Sequence, residues 1–215
     1  ALVGAYGVNS AEGAAYIFRS SDGGVTWPSN ETQKLTAFDG APSYQFGYST
    51  AISGGVALVG ASGVNTDRGA AYIFRSSDGG VTWPSSETQK LTASDGVSSK
   101  FFGSSTSVSG DVILVGASGV NSNQGAAYIF RSSDGGVTWP SSETQKLTAS
   151  DGAPIHYFGS ASAISGDVVL VGASGSNSGR GAAYIFEDPP VVAPSSSSPS
   201  TSIVASDDIV PLASS

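Results

Sequence analysis

Short apolar runs, separated by gaps rich in Gly, Ser and Asn, follow one another along this chain at a fixed step. The run Leu-Val-Gly-Ala stands at residues 2–5, 58–61, 114–117 and 170–173, a period of 56. Within one period, residues 102–108 predict a first strand and Ser109-Gly110-Asp111 a tight turn. Residues 112–115 (Val-Ile-Leu-Val) form a continuous apolar run, the pattern of a strand buried on both faces. A polar gap over 119–124 leads to a third strand at 126–131, Ala-Ala-Tyr-Ile-Phe-Arg. Ser133-Asp134-Gly135-Gly136 predicts a hairpin turn, because Asp-Gly and Gly-Gly supply the positive φ such turns require. Residues 137–139 and 143–148 predict a fourth strand interrupted by Pro140, which an outer edge strand tolerates. Helical periodicity appears nowhere.

Residues 69–96 and 125–152 are identical over 28 positions, and 13–40 differ from them only at Asn30 and Phe38. A period of this kind implies stacked supersecondary units that bury their apolar faces against one another. Four antiparallel strands per unit predict an all-β, β-propeller-type array of four-stranded blades. The units divide as about 1–45, 46–101, 102–157 and 158–187, followed by a Pro/Ser-rich linker at 188–202 and a tail at 203–215. Ala1 opens inside a strand, as though processing or truncation had removed upstream sequence. The pattern yields fourteen strands, three and a half blades, and leaves strand edges open at both ends. The tail carries a short β-prone segment (Ile203, Val204, Ile209, Val210), which is expected to add as a strand to such an edge in its own chain or the next. Against this stands the ordinary disorder of chain termini.

Composition narrows the function. The net charge of −8 opposes nucleic acid and anionic membranes as partners, since both need a basic footprint. No apolar run approaches the length of a membrane helix, so membrane insertion is not expected. With no cysteine, disulfides are excluded.

Phe46-Gly47, Phe102-Gly103 and Phe158-Gly159, each followed by Leu-Val-Gly-Ala and Gly-Ala-Ala-Tyr-Ile-Phe, resemble the FG-GAP repeat of integrin α-subunit propellers and many secreted proteins. The resemblance covers nearly all of residues 1–187 and implies an extracellular or cell-surface protein. A second motif, Ser-x-Asp-x-Gly-x-Thr-Trp, contains Asp22 and Trp27, Asp78 and Trp83, and Asp134 and Trp139. It is similar to the Asp-box of sialidase-type propellers, where it folds a hairpin. Calcium-binding members of the FG-GAP family carry several aspartates between the first two strands. Here that connection holds Ser53-Gly54-Gly55, Ser109-Gly110-Asp111 or Ser165-Gly166-Asp167, too few carboxylates for calcium's six to eight oxygens. No cofactor is expected.

Differences between repeats collect before the first strand (41–45, 97–101, 153–157) and between strands two and three (8–12, 64–68, 120–124, 176–180). In a propeller these connections share one face, and loops on a rigid scaffold are where recognition resides. The candidate binding residues are Tyr44, Gln45, Asp67, Arg68, Lys100, Phe101, Asn123, Gln124, His156, Tyr157 and Arg180. The same loops would also drift if nothing constrained them.

Catalysis has little to draw on. His156 is the sole histidine, and the repeated hairpin aspartates read as turn-stabilising Asx residues. Arg19, Arg75 and Arg131 occupy equivalent positions and cannot converge on one substrate, and paired carboxylates at a unique position are lacking. Tyr16, Tyr72, Tyr128 and Tyr184 read as packing between blades. Asn30-Glu31-Thr32 is an N-glycosylation sequon. The expectation is a non-catalytic structural or adhesive protein that associates with itself, into filaments among other forms, with glycans or cell-surface proteins as further partners. A lectin-like glycan-binding propeller is the alternative, and a glycoside hydrolase a distant third.

Overall fold

The structure, a computed structural model, describes residues 1–187 and the backbone of Ile203 and Val204. Four antiparallel sheets follow one another. The first holds β1 (Leu2–Ala5), β2 (Ala14–Ile17) and β3 (Gln33–Leu35), and the second β4 (Phe46–Ser53), β5 (Val56–Ala61), β6 (Ala70–Arg75) and β7 (Gln89–Leu91). β8 (Phe102–Ser109), β9 (Val112–Ala117), β10 (Ala126–Arg131) and β11 (Gln145–Leu147) form the third; β12 (Phe158–Ser165), β13 (Val168–Ala173), β14 (Ala182–Glu187) and β15 (Ile203–Val204) form the fourth. Each is a meander in chain order, a propeller-type blade.

The third strand matches its predicted bounds, but the fourth is shorter than predicted. Only Gln33–Leu35, Gln89–Leu91 and Gln145–Leu147 pair with the preceding strand. Residues 137–139 belong to no strand. There the Asp134 and Ser132 side chains bind the backbone amides, so Pro140 follows a turn rather than interrupting a strand. The polar gap between strands two and three holds a one-turn segment (Val8–Ala11 and its equivalents) with a left-handed interior: Asn9 has φ 52 and ψ 60, Ser10 φ 56 and ψ 38. Neither hydrophobic periodicity nor a capping pattern announces such a turn.

The fold also adds a fifteenth strand. β15 pairs with β14 on the side where β11 pairs with β10, with Tyr184 opposite Val204 and Ile185 opposite Ile203. Residues 203–207 (Ile-Val-Ala-Ser-Asp) echo 147–151 (Leu-Thr-Ala-Ser-Asp) in sequence, but the pairing is displaced by two residues: Ile203 stands opposite Ile185, the place Gln145 takes opposite Ile129. Ile209 and Val210 lie outside the described residues.

The core lies between blades. One cluster joins Ala15, Ile17 and Leu35 of the first blade to Phe46, Val59, Tyr72, Phe74 and Trp83 of the second. The same positions one period on join the second blade to the third, and again the third to the fourth. Along each second strand, successive side chains therefore serve opposite junctions, as the two-residue period of a strand dictates. Val59, Val115 and Val171 face the preceding blade and are fully buried; Leu58 and Leu114 face the following one and are buried as completely. Burying one such side chain is worth about 1.5–3 kcal/mol. These junctions, rather than any single sheet, carry the stability of the array.

Candidate functional site

The sequence singles out three surfaces: the variable loops as a binding face, the Asp-Gly hairpins as structural turns and the blade ends as association edges. The structure places the first two on opposite rims, because the one-to-two turns and hairpins lie together while the other connections meet elsewhere. Ser76 donates its amide to the Gly55 carbonyl at 2.8 Å, tying a hairpin to a one-to-two turn.

On the variable rim, the first three left-handed turns direct their carbonyls at the loop entering the next blade. Ser10, Ala11 and Glu12 accept from the amides of Ser43 (3.1 Å), Gln45 (2.7 Å) and Phe46 (3.0 Å). Asp67 accepts from Phe101 at 2.8 Å, and Asn123 from Tyr157 at 2.7 Å. Gln45, Phe101 and Tyr157 are themselves left-handed, with φ of 59, 54 and 54. Backbone this constrained is not drifting, although the side chains on it differ.

Several of those side chains are also engaged. Gln45 Oε1 accepts from the Ser62 hydroxyl at 2.8 Å, and Gln124 Nε2 donates to the Gly152 carbonyl at 2.7 Å. The Tyr44 hydroxyl reaches Asn65 Oδ1 at 3.4 Å, and His156 Nδ1 accepts from the Ala153 amide at 3.3 Å. Arg68 lies beside Gly96. Asp67, Lys100 and Asn123 are half-buried, while Arg180 is exposed. The eleven candidates are spread over the rim of four blades.

On the hairpin rim, the repeated aspartate organises its own turn. Asp134 accepts from the amides of Val137 (3.0 Å) and Thr138 (2.9 Å) and from the hydroxyls of Ser132 (2.6 Å) and Thr138 (2.7 Å). Asp78 and Asp22 make the corresponding bonds. The Ser132 hydroxyl holds the Asp134 carboxyl well below the usual carboxylate range, with help from Thr138. Two open grooves lie on this rim. One, of about 400 Å³, is lined by Arg19, Trp27, Ile52 and Trp83, the other, of about 410 Å³, by Arg75, Ser76, Asp111 and Gly136. Asn30 of the sequon is exposed beside the first hairpin.

The polar feature the sequence reading missed lies at the junctions. The phenol of Tyr72 donates to Asp39 Oδ1 of the preceding blade at 2.9 Å, and Lys90 forms an ion pair with the same carboxylate. Tyr128 and Lys146 hold Asp95 in the same way, and Tyr184 donates to Asp151 at 2.6 Å. A second bond runs alongside: Glu143 accepts from the amide and hydroxyl of Ser94, and Glu87 from the Phe38 amide. The signal was present, since aspartate recurs at 39, 95 and 151 inside otherwise variable connections.

The family model for the FG-GAP repeat matches residues 29–74, 85–130 and 141–186. The chain belongs to the FG-GAP repeat family. Each match begins ahead of the fourth strand of one sheet and ends at the third strand of the next, so the sequence unit straddles a junction. No curated protein matches the chain closely enough to count as a relative. FG-GAP repeats are consistent with a propeller-type adhesion or structural repeat protein, and are typical of extracellular and cell-surface proteins. Among the described residues, no helix is long and apolar enough to cross a membrane.

Proposed function

We propose that this FG-GAP chain is a non-catalytic structural or adhesive protein of the cell exterior, secreted, that associates with copies of itself through its open blade ends and C-terminal tail, into filaments where the contacts do not close a ring. One observation carries this reading: among the described residues, the outer faces of the first and fourth blades present the two halves of the junction repeated inside the chain. Val3 is 50% exposed where Val59 and Val115 are fully buried, and Leu170 is 40% exposed where Leu58 and Leu114 are fully buried. Apolar faces of this kind on a stacked array invite another unit. Resemblance of the hairpins to Asp-boxes fits a structural role, because each aspartate is spent on its own turn. Calcium is not part of the proposal. Among the described residues, no group of three or more His, Asp or Glu gathers as a metal site.

Sedimentation of the purified chain over a hundredfold concentration range tests the reading, with electron microscopy of the heaviest fraction. Association that grows with concentration is expected; a monomer throughout would overturn it. Glycan binding on the variable rim is the second reading, favoured by the different side chains that four rigid turns present there. Retention on a sugar array, released by free sugar, would establish it.

A further inference from the structure

We infer that Asn30 is a modification site: it carries an N-linked oligosaccharide, on a turn that stays open to solvent even where another blade packs alongside. This rests on the extracellular role proposed above and adds a covalent group to it.

Comparison of the repeats isolates the residue. Residues 13–40 and 69–96 differ at two positions only, and at one of them asparagine 30 replaces the serine found at 86 and 142. The rest of the acceptor pattern, Glu-Thr at 31–32, 87–88 and 143–144, is common to all three repeats and has its own work in the fold. The Thr32 hydroxyl accepts from the Arg19 amide at 3.1 Å, as those of Thr88 and Thr144 accept from the Arg75 and Arg131 amides at 3.0 Å. Glu87 and Glu143 reach the preceding blade, at the Phe38 amide and at Ser94. A single change at position 30 therefore completes Asn-x-Thr on a turn built for other reasons. The new side chain has no such work. Among the described residues, neither the Asn30 carboxamide nor the hydroxyls of Ser86 and Ser142 make a hydrogen bond.

Placement favours attachment. Asn30 lies outside any strand, between the first hairpin and β3, and is exposed. That exposure does not depend on the neighbours of the first blade. Ser86 and Ser142, each with a blade packed ahead of it, are exposed as well, while the adjoining Glu87 and Glu143 are half-buried. A bulky, hydrophilic oligosaccharide at this position projects into solvent, clear of the junctions. Asn9, Asn65, Asn121, Asn123 and Asn177 lack Ser or Thr two places on, so one attachment per chain is expected. The donor class is an oligosaccharide borne on a lipid diphosphate. The Asn30 amide nitrogen bonds to the anomeric carbon, the bond from that carbon to the diphosphate oxygen breaks, the lipid diphosphate leaves, and the amide gives up one proton.

The test has two arms. In the first, protein isolated from its source is treated with peptide-N-glycosidase in heavy-oxygen water, and the peptide holding Asn30 is weighed. Conversion of Asn30 to labelled aspartate is expected. A bare Asn30 in protein recovered from outside the cell would overturn the modification and leave the extracellular role standing; a bare Asn30 in protein confined within the cell would end both. In the second arm, the whole 215-residue chain is directed into the secretory pathway of a eukaryotic cell. Asn30→Ser should lose the one glycan, and Ser86→Asn should gain a second, because its turn has the same geometry beside a packed blade. Both variants should melt within about 2 °C of the parent. A glycan retained by Asn30→Ser would overturn the assignment to Asn30. A Ser86→Asn chain that stays unmodified at that position, or melts many degrees lower once modified, would overturn the placement of this turn clear of the junctions.

Discussion

Gly103 of the third blade lies so close against Gly60 of the second that a β-carbon on Gly60 would overlap the Gly103 carbonyl oxygen. The same relation holds between Gly4 and Gly47 and between Gly116 and Gly159. Gly47, Gly103 and Gly159 follow the buried phenylalanines Phe46, Phe102 and Phe158, at a register shift in the pairing of strands one and two. Their φ values of 88–89 suit glycine alone. The two glycine motifs of the repeat are thus the two sides of one backbone contact between neighbouring blades.

Gly60→Ala is therefore expected to cost about 2–4 kcal/mol in unfolding free energy, since backbone rather than a movable side chain blocks the methyl group. Gly110→Ala serves as the control. Gly110 also has a positive φ (57), but its β-carbon would meet open space, so the cost should stay near 1 kcal/mol. Urea denaturation of the two variants checks the difference.

Tyr128→Phe removes one hydrogen bond to Asp95 and leaves the ion pair with Lys146. A loss of about 1 kcal/mol is expected. The change should also flatten the alkaline limb of stability. Burial and the Asp95 carboxylate hold the Tyr128 phenol far above its ordinary range, so its contribution is full below about pH 10 and fades as pH rises further. Melting temperatures between pH 8 and 11 measure it.

The hairpin aspartates act at the other end of the scale. The Thr82 hydroxyl and amide, with the Ser76 hydroxyl, depress the Asp78 carboxyl. A depressed carboxyl contributes stability above its unfolded value, near 4, and loses it as pH falls toward the folded value. Thermal unfolding should weaken steadily from pH 4 to pH 2, and the triple variant Asp22→Asn, Asp78→Asn, Asp134→Asn should show a shallower acid slope.

Trp27 is 52% exposed, whereas Trp83 and Trp139 are 9% and 5% exposed. In chains keeping one tryptophan each, acrylamide should quench Trp27 most strongly in dilute solution. If copies stack, quenching of Trp27 should fall with concentration while Trp83 and Trp139 stay unchanged.

Calcium should leave the melting temperature within about 1 °C of its value in chelator, because a ligand that binds neither state shifts nothing. A rise of several degrees would reveal a calcium site despite the short Ser-Gly turns.

The strand order was legible because each strand states its burial plainly. Residues 112–115 and 126–130 are aliphatic or aromatic throughout, and both faces of their strands are covered. The short fourth strand was misread at residues 137–139, where side-chain bonds from Asp134 and Ser132 compete with strand pairing for the same amides. Left-handed turns such as Asn121-Ser122-Asn123 leave no periodic trace, since their stability comes from carbonyls bonded to the next blade. The pairing of Tyr72 with Asp39 was hidden for a similar reason: its partners are 33 residues apart, and only the packing of two sheets brings them together. Gln45, Phe101 and Tyr157 are singled out by their variability, yet that pattern could not reveal that their backbone is left-handed and hydrogen-bonded to the preceding blade.

The confinement of each apolar cluster to one pair of neighbouring blades has a mechanical consequence. Among the described residues, each apolar cluster joins only two neighbouring blades, so yielding one junction under tension leaves the next intact. Extension should proceed as a staircase, each step releasing one 56-residue repeat, roughly 190 Å of chain at full stretch, and each step dissipating work before the next blade is loaded.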